Sequence, residues 1–219
     1  MTAIVRREQG RDADGIGIGW TDGIMRALAV AARFVAVNVM ILLGAVIGLG
    51  LFGLMPAVVA GAAVLRGDGS AQGGLLRAYA TQYRAQFVRA NLAGIPFTVT
   101  GALLAADLTL LTRLAGPFSA VLLVLTIAVA AFALLVWVMT VALLSRHDDA
   151  PIAVLRAALL LTAASPAAGL GLLVVLAAWV VITAVAPILL PLVGVSIPLA
   201  LVIRLIEARL ERLARSDEH

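Results

Sequence analysis

The chain has 219 residues, 63% hydrophobic and 13% charged, with a formal net charge of +4 and a mean hydropathy of +1.11. Soluble domains keep about a quarter of their residues charged, so a water-facing globule is excluded and the long apolar runs indicate a bilayer as solvent. There is no cysteine and no lysine, which excludes disulfides, thiolate chemistry, a phosphate-loop lysine and Schiff-base chemistry.

Residues 1–24 mix both charge signs with glycines and lack the apolar core of a signal peptide, so they are expected to form a mobile cytoplasmic tail. Gly15-Ile16-Gly17-Ile18-Gly19 is not a dinucleotide fingerprint, because no strand–turn–helix pattern surrounds it. A single transmembrane helical domain is expected over 25–212, followed by a flexible tail over 213–219.

Everything from Phe34 to Leu65 is uncharged, with a cluster of glycines at Gly44, Gly48, Gly50 and Gly53. One long tilted helix and a hairpin of two short helices both fit the length. The arginines discriminate between them. If the segment crosses once, the basic residues divide six against ten, which is hardly a bias. If it folds back, 15 arginines fall on one side and Arg113 alone on the other. Cytoplasmic loops are enriched in basic residues, so the hairpin is preferred, with both termini cytoplasmic. Each arm has about 17 residues, roughly 25 Å. Gly44 and Gly48 form a GxxxG pair, and Gly53, Ala57 and Gly61 continue a ridge of small residues that lets two backbones approach. The turn is expected at Gly48–Gly53, with Pro56 in the first turn of the returning helix.

Residues 75–92, LLRAYATQYRAQFVRANL, read as an amphipathic helix. Tyr79, Tyr83 and Phe87 recur on one face, while Arg77, Arg84 and Arg89 occupy others. Two placements remain open: the membrane interface, where aromatic rings sit among headgroups, or the end of the bundle. Apolar spans are expected over 93–111, 120–144 and 167–186, and a short one over 192–203. A second short helix over 152–162 lies between two of them. The expected fold is therefore all-α: a polytopic membrane helix bundle with six crossings, the first two a short hairpin, and two short cytoplasmic or interfacial helices.

Candidate ligand residues are few. Asp107 is the one acidic residue within a span, and charge there is costly enough to suggest a solute or ion contact; a carboxylate reaching the headgroups is the simpler alternative. Asn38 near the start of the first span suits a hydrogen bond between helices. Trp137 and Trp179 sit inside spans, where packing competes with stacking on a sugar. His147-Asp148-Asp149 lacks a further ligand at metal-site spacing, and His219 ends the chain. No cofactor, metal, nucleic acid or catalytic residue is expected.

The stretch Gly53-Leu-Met-Pro-Ala-Val-Val-Ala-Gly-Ala-Ala-Val-Leu-Arg66, with Tyr79-Ala-Thr-Gln-Tyr-Arg84, Phe87-Val-Arg-Ala-Asn91 and Leu104-Ala-Ala-Asp107-Leu, resembles the YesL-like bacterial membrane proteins, a domain of unknown function. The resemblance runs from about Met25 to Arg209. It implies no catalytic residues. Because genes of that family often neighbour carbohydrate uptake systems, it implies a non-enzymatic accessory or partner subunit of an ABC-type sugar transporter. A small-solute transporter or channel using Asp107 is the alternative, and a lipid-binding membrane protein a further one. Partners beyond the lipid bilayer are left open between ABC transporter subunits and further copies of the chain.

Overall fold

The structure, a computed structural model, describes residues 5–67, 74–111, 113, 116–146, 148–164 and 166–204, with side-chain surroundings from Asp22 onward. The expected tail at 213–219, His147 and His219 lie outside the described residues. Within them the fold is all-helical: α1 (Val5–Ile47), α2 (Leu51–Arg66), α3 (Leu75–Leu111), α4 (Pro117–Leu144), α5 (Pro151–Ala164), α6 (Pro166–Val185) and α7 (Leu189–Val193), followed by a helical stretch over 196–204. Three helices are long and apolar enough to cross a membrane, namely Asp22–Ile47, Leu75–Leu111 and Pro117–Leu144. A fourth is added if Pro151–Ala164 and Gly169–Val185 count as one bent span.

The chain reverses between α1 and α2. Leu49 stands in the left-handed region at φ 60° and Gly50 at φ 73°. Leu49 N–H donates to Val46 O at 3.1 Å and Gly50 N–H to Ala45 O at 2.7 Å. Together these bonds make a Schellman ending with a leucine where glycine is usual. Gly53 and Leu54 N–H both return to Gly50 O, so the turn largely satisfies its own donors. Beyond it α2 runs antiparallel to α1: Gly53 lies on Gly44 and Gly48, Gly61 on Ile41, and Arg33 Nη2 donates to Val64 O at 2.6 Å. A Cβ at Gly53 would lie 2.5 Å from Ala45 O and 2.6 Å from Gly44 O. Only hydrogen fits there, so the close approach depends on this glycine. Pro56 falls in the second turn of α2 and not the first, because the helix already starts at Leu51.

α2 is the core of the molecule. Gly53 and every residue from Met55 to Val64 are buried, as suits a helix apolar on all sides. α1 and α3 cover it along its length, and α4 touches it. It ends at Gly67, in the left-handed region at φ 104°.

α3 corrects one expectation. The amphipathic segment 75–92 and the span 93–111 form one 37-residue helix. The junction holds no breaker: Asn91 bonds back to Phe87 O at 2.9 Å, and Pro96 is accommodated inside the helix at the loss of one backbone hydrogen bond. The C-terminal apolar run departs from expectation too. Instead of a continuous helix over 192–203, α7 stops at Val193 and helix resumes at 196.

Candidate functional site: an apolar cavity at the hairpin tip

Three pieces of chain meet at the α1–α2 turn. Tyr83 Oη on α3 donates to Gly44 O at 2.9 Å, and Tyr79 Oη reaches Ala57 O at 3.4 Å. The two rings stack with centroids 6.1 Å apart, and Phe87 tilts against Tyr83 at 5.6 Å. The space above Gly44 is filled by the Tyr79 hydroxyl, Ala57 Cβ and the Tyr83 ring, and Gly48 faces the Tyr83 hydroxyl. The aromatic stripe packs on the hairpin. A bulkier residue at 44 would displace both tyrosines, and one at 48 would push on the Gly53 backbone and the Tyr83 hydroxyl.

Beyond these contacts the α1–α2 tip, α3 from Phe87 to Leu104 and α4 at Ala133–Trp137 line a half-open cavity of about 1020 Å³, whose wall residues Phe52, Val88 and Ile95 stay largely exposed. No charged side chain lines it; its polar groups are Asn91, Thr98, Thr100 and Trp137. That volume lies at the upper end of the range for small-ligand sites, and an apolar wall with a few polar groups is their usual composition. Such a wall can hold an apolar chain or ring, but it offers nothing to a charged solute.

Two arginines meet at the other end of the hairpin. Arg66 Nη1 donates to Ser145 Oγ at 2.7 Å just past α4, close to where Arg33 meets Val64. Arg89 Nε donates to Asp149 O at 2.9 Å, and its Nη1 lies 3.3 Å from the fully exposed Asp148 carboxylate. With its carboxylate fully in solvent, the pair contributes little stability. Arg77 and Arg84 are exposed and hold no hydrogen bond or ion pair with described residues.

Asn38 is fully buried far from the cavity. Its Nδ2 donates to Pro191 O at 2.7 Å, and its Oδ1 accepts from Val195 N–H at 2.9 Å and Ser196 N–H at 3.3 Å. It thereby satisfies the backbone at the break after α7, with help from Trp179 Nε1 donating to Gly194 O at 2.8 Å. Asp107 is exposed near the end of α3 and does not line the cavity. Trp137 does line it. Gly53 and Ala57 sit at the α1–α2 contact, as does Gly61. Among the described residues no three of His, Cys, Asp or Glu come together to hold a metal ion. The sequence reading did not bring Val88, Asn91, Ile95 and Thr98 together as one wall; Asn91 and Thr98 read there as polar groups bonding within the bundle. Their spacing at i, i+3/i+4 and i+7 was the available signal.

Comparison with known proteins adds one match: residues 34–108 are similar to the family described as "Protein of unknown function, DUF624". The matched segment covers the paired part of α1, all of α2 and most of α3, and with them most of the cavity wall. No curated protein and no solved structure matches the chain.

Proposed function

We propose that the chain is a non-enzymatic membrane protein that serves as a partner subunit of another membrane assembly, an ABC-type carbohydrate uptake system being the assembly that the YesL-like resemblance implies. The observation that carries this is the α3–α4 arm. From Val99 to Leu110 and from Phe118 to Leu134 most residues are apolar and exposed. Such an arm needs lipid or other helices around it, and an apolar helix surface in lipid is free to pack on a partner. Asp107 stands on that exposed surface and off the cavity wall, which favours the subunit reading over a transporter using Asp107.

The arginine pair supports one cytoplasmic end. Arg33 and Arg66 meet Val64 and Ser145 there, in keeping with both termini on the cytoplasmic side of a bacterial inner membrane. Six crossings follow if both hairpin arms traverse the bilayer. Three features favour a re-entrant hairpin instead. Its tip lies beside Tyr83 and Met55 beside Gly94, well short of the far end of α3. α2 has 16 residues, about 24 Å against a hydrocarbon core of about 30 Å. The tip from Ile47 to Leu54 carries no polar side chain, and most of its backbone donors bond within it, as hydrocarbon requires. The full crossings are then α3, α4, α6 and the 189–204 segment, and the termini stay on one side.

Purification from native membranes in mild detergent tests the subunit role. A transporter membrane subunit should co-purify, and deletion should lower sugar uptake. A chain that purifies alone, with uptake unchanged in the deletion strain, contradicts it.

A further inference from the structure

The cavity wall contributed by α3 is a single stripe. Val88, Asn91, Ile95, Thr98 and Ala102 all line it and share one helix face at i, i+3, i+4 and i+7 spacing. Continued toward the N-terminus, the same stripe carries Arg84 and then Arg77, both exposed and neither bonded to any described residue. An apolar slot therefore leads at one end to two exposed guanidinium groups. From Val88 to Ala102 the stripe rises about 21 Å, enough to accommodate a chain filling one leaflet of about 15 Å.

We propose that the cavity binds one acyl chain of an anionic phospholipid, with Arg84, backed by Arg77, holding the headgroup phosphate. The chemistry matches at both ends. The wall is uncharged and mostly apolar, so it favours hydrocarbon. A guanidinium pairs with phosphate through two parallel hydrogen bonds. Arg84 can reach the headgroup layer by extending along the surface, and anionic lipids concentrate at a cytoplasmic membrane face. The Trp137 indole, on the cavity wall, would lie against the bound chain. The inference rests on the membrane placement above and is independent of the partner subunit.

The full-length protein is reconstituted into phosphatidylcholine vesicles carrying either brominated phosphatidylglycerol or brominated phosphatidylcholine at equal mole fraction. Quenching of Trp137 is read as the difference between the parent and Trp137→Phe. The anionic lipid should reach half-maximal quenching at an about fivefold lower mole fraction. Arg84→Gln should shrink that preference and Arg84→Lys should largely retain it; both changes are at an exposed position and spare the core. Ala133→Phe, which fills the slot beside Trp137, should remove the preference while the protein remains folded. Equal quenching by the two lipids, or a preference that survives Arg84→Gln with Arg77→Gln, overturns the site. Quenching by neither lipid overturns the membrane placement as well.

Discussion

The Tyr83 hydroxyl donates to the Gly44 carbonyl at 2.9 Å, tying the hairpin tip to the first half of α3. That carbonyl also accepts Gly48 N–H within α1, so it stays satisfied if the tyrosine is lost. Tyr83→Phe should therefore cost only about 1 kcal/mol, the net value of one hydrogen bond. Thermal unfolding in detergent checks this. A loss several times larger would mean that Tyr83 does more than bridge these two helices.

The hairpin depends on close backbone approach, and its glycines should differ sharply. Gly53→Ala pushes a methyl group into the Ala45 and Gly44 carbonyls and should cost about 1–3 kcal/mol, in the range of overpacked cores. Gly101→Ala meets nothing within 4 Å on an exposed helix face and should be neutral or stabilising by up to about 1 kcal/mol. Equal effects at the two positions would contradict the observed packing.

Leu49 holds a left-handed conformation that costs an L-residue about 1–2 kcal/mol. Its side chain is 85% exposed and returns little packing. Leu49→Gly should raise stability by about 1 kcal/mol, read as a higher midpoint of unfolding. A lower midpoint would show that the leucine is held by a contact at the tip.

Asn38 serves three backbone groups around the break after α7. Asn38→Leu leaves the buried Ser196 N–H, the half-buried Val195 N–H and the Pro191 carbonyl without that partner, at about 1–3 kcal/mol for the buried group and less for the others. The loss should be local. Hydrogen exchange should quicken over 189–199 while α2 stays protected. Uniform quickening would mean that Asn38 supports the whole bundle. Asp107→Asn, by contrast, removes no described contact at an exposed site and should shift stability by less than about 0.5 kcal/mol.

The hairpin was legible in the sequence because two signals agreed. Arginines flank the apolar stretch, and glycines interrupt it where the turn falls. The extent of α3 was less legible: Arg89 and the change from amphipathic to apolar composition suggested a boundary, yet tertiary packing on α2 carries the helix through it. Asn38 was recognised as an inter-helix donor, but its partner lies 153 residues away, and no local pattern encodes that pairing. The break at Gly194 and Val195 was missed because apolar composition is the same on either side of it. The cavity arises only when α1, α2, α3 and α4 meet, although its α3 stripe was written in the spacing.

The most direct measurement uses the absence of cysteine. Single cysteines are placed at Leu51 on the hairpin tip, at Phe118 beside the α3–α4 connection and at Asp149 after α4, all exposed positions, and intact cells are treated with a membrane-impermeant maleimide. A re-entrant hairpin predicts labelling at Phe118→Cys alone, with Asp149→Cys reacting only after permeabilisation and Leu51→Cys protected from the outside throughout. Labelling of Leu51→Cys in intact cells, at a rate like that of Phe118→Cys, would contradict it and show that both arms cross the membrane.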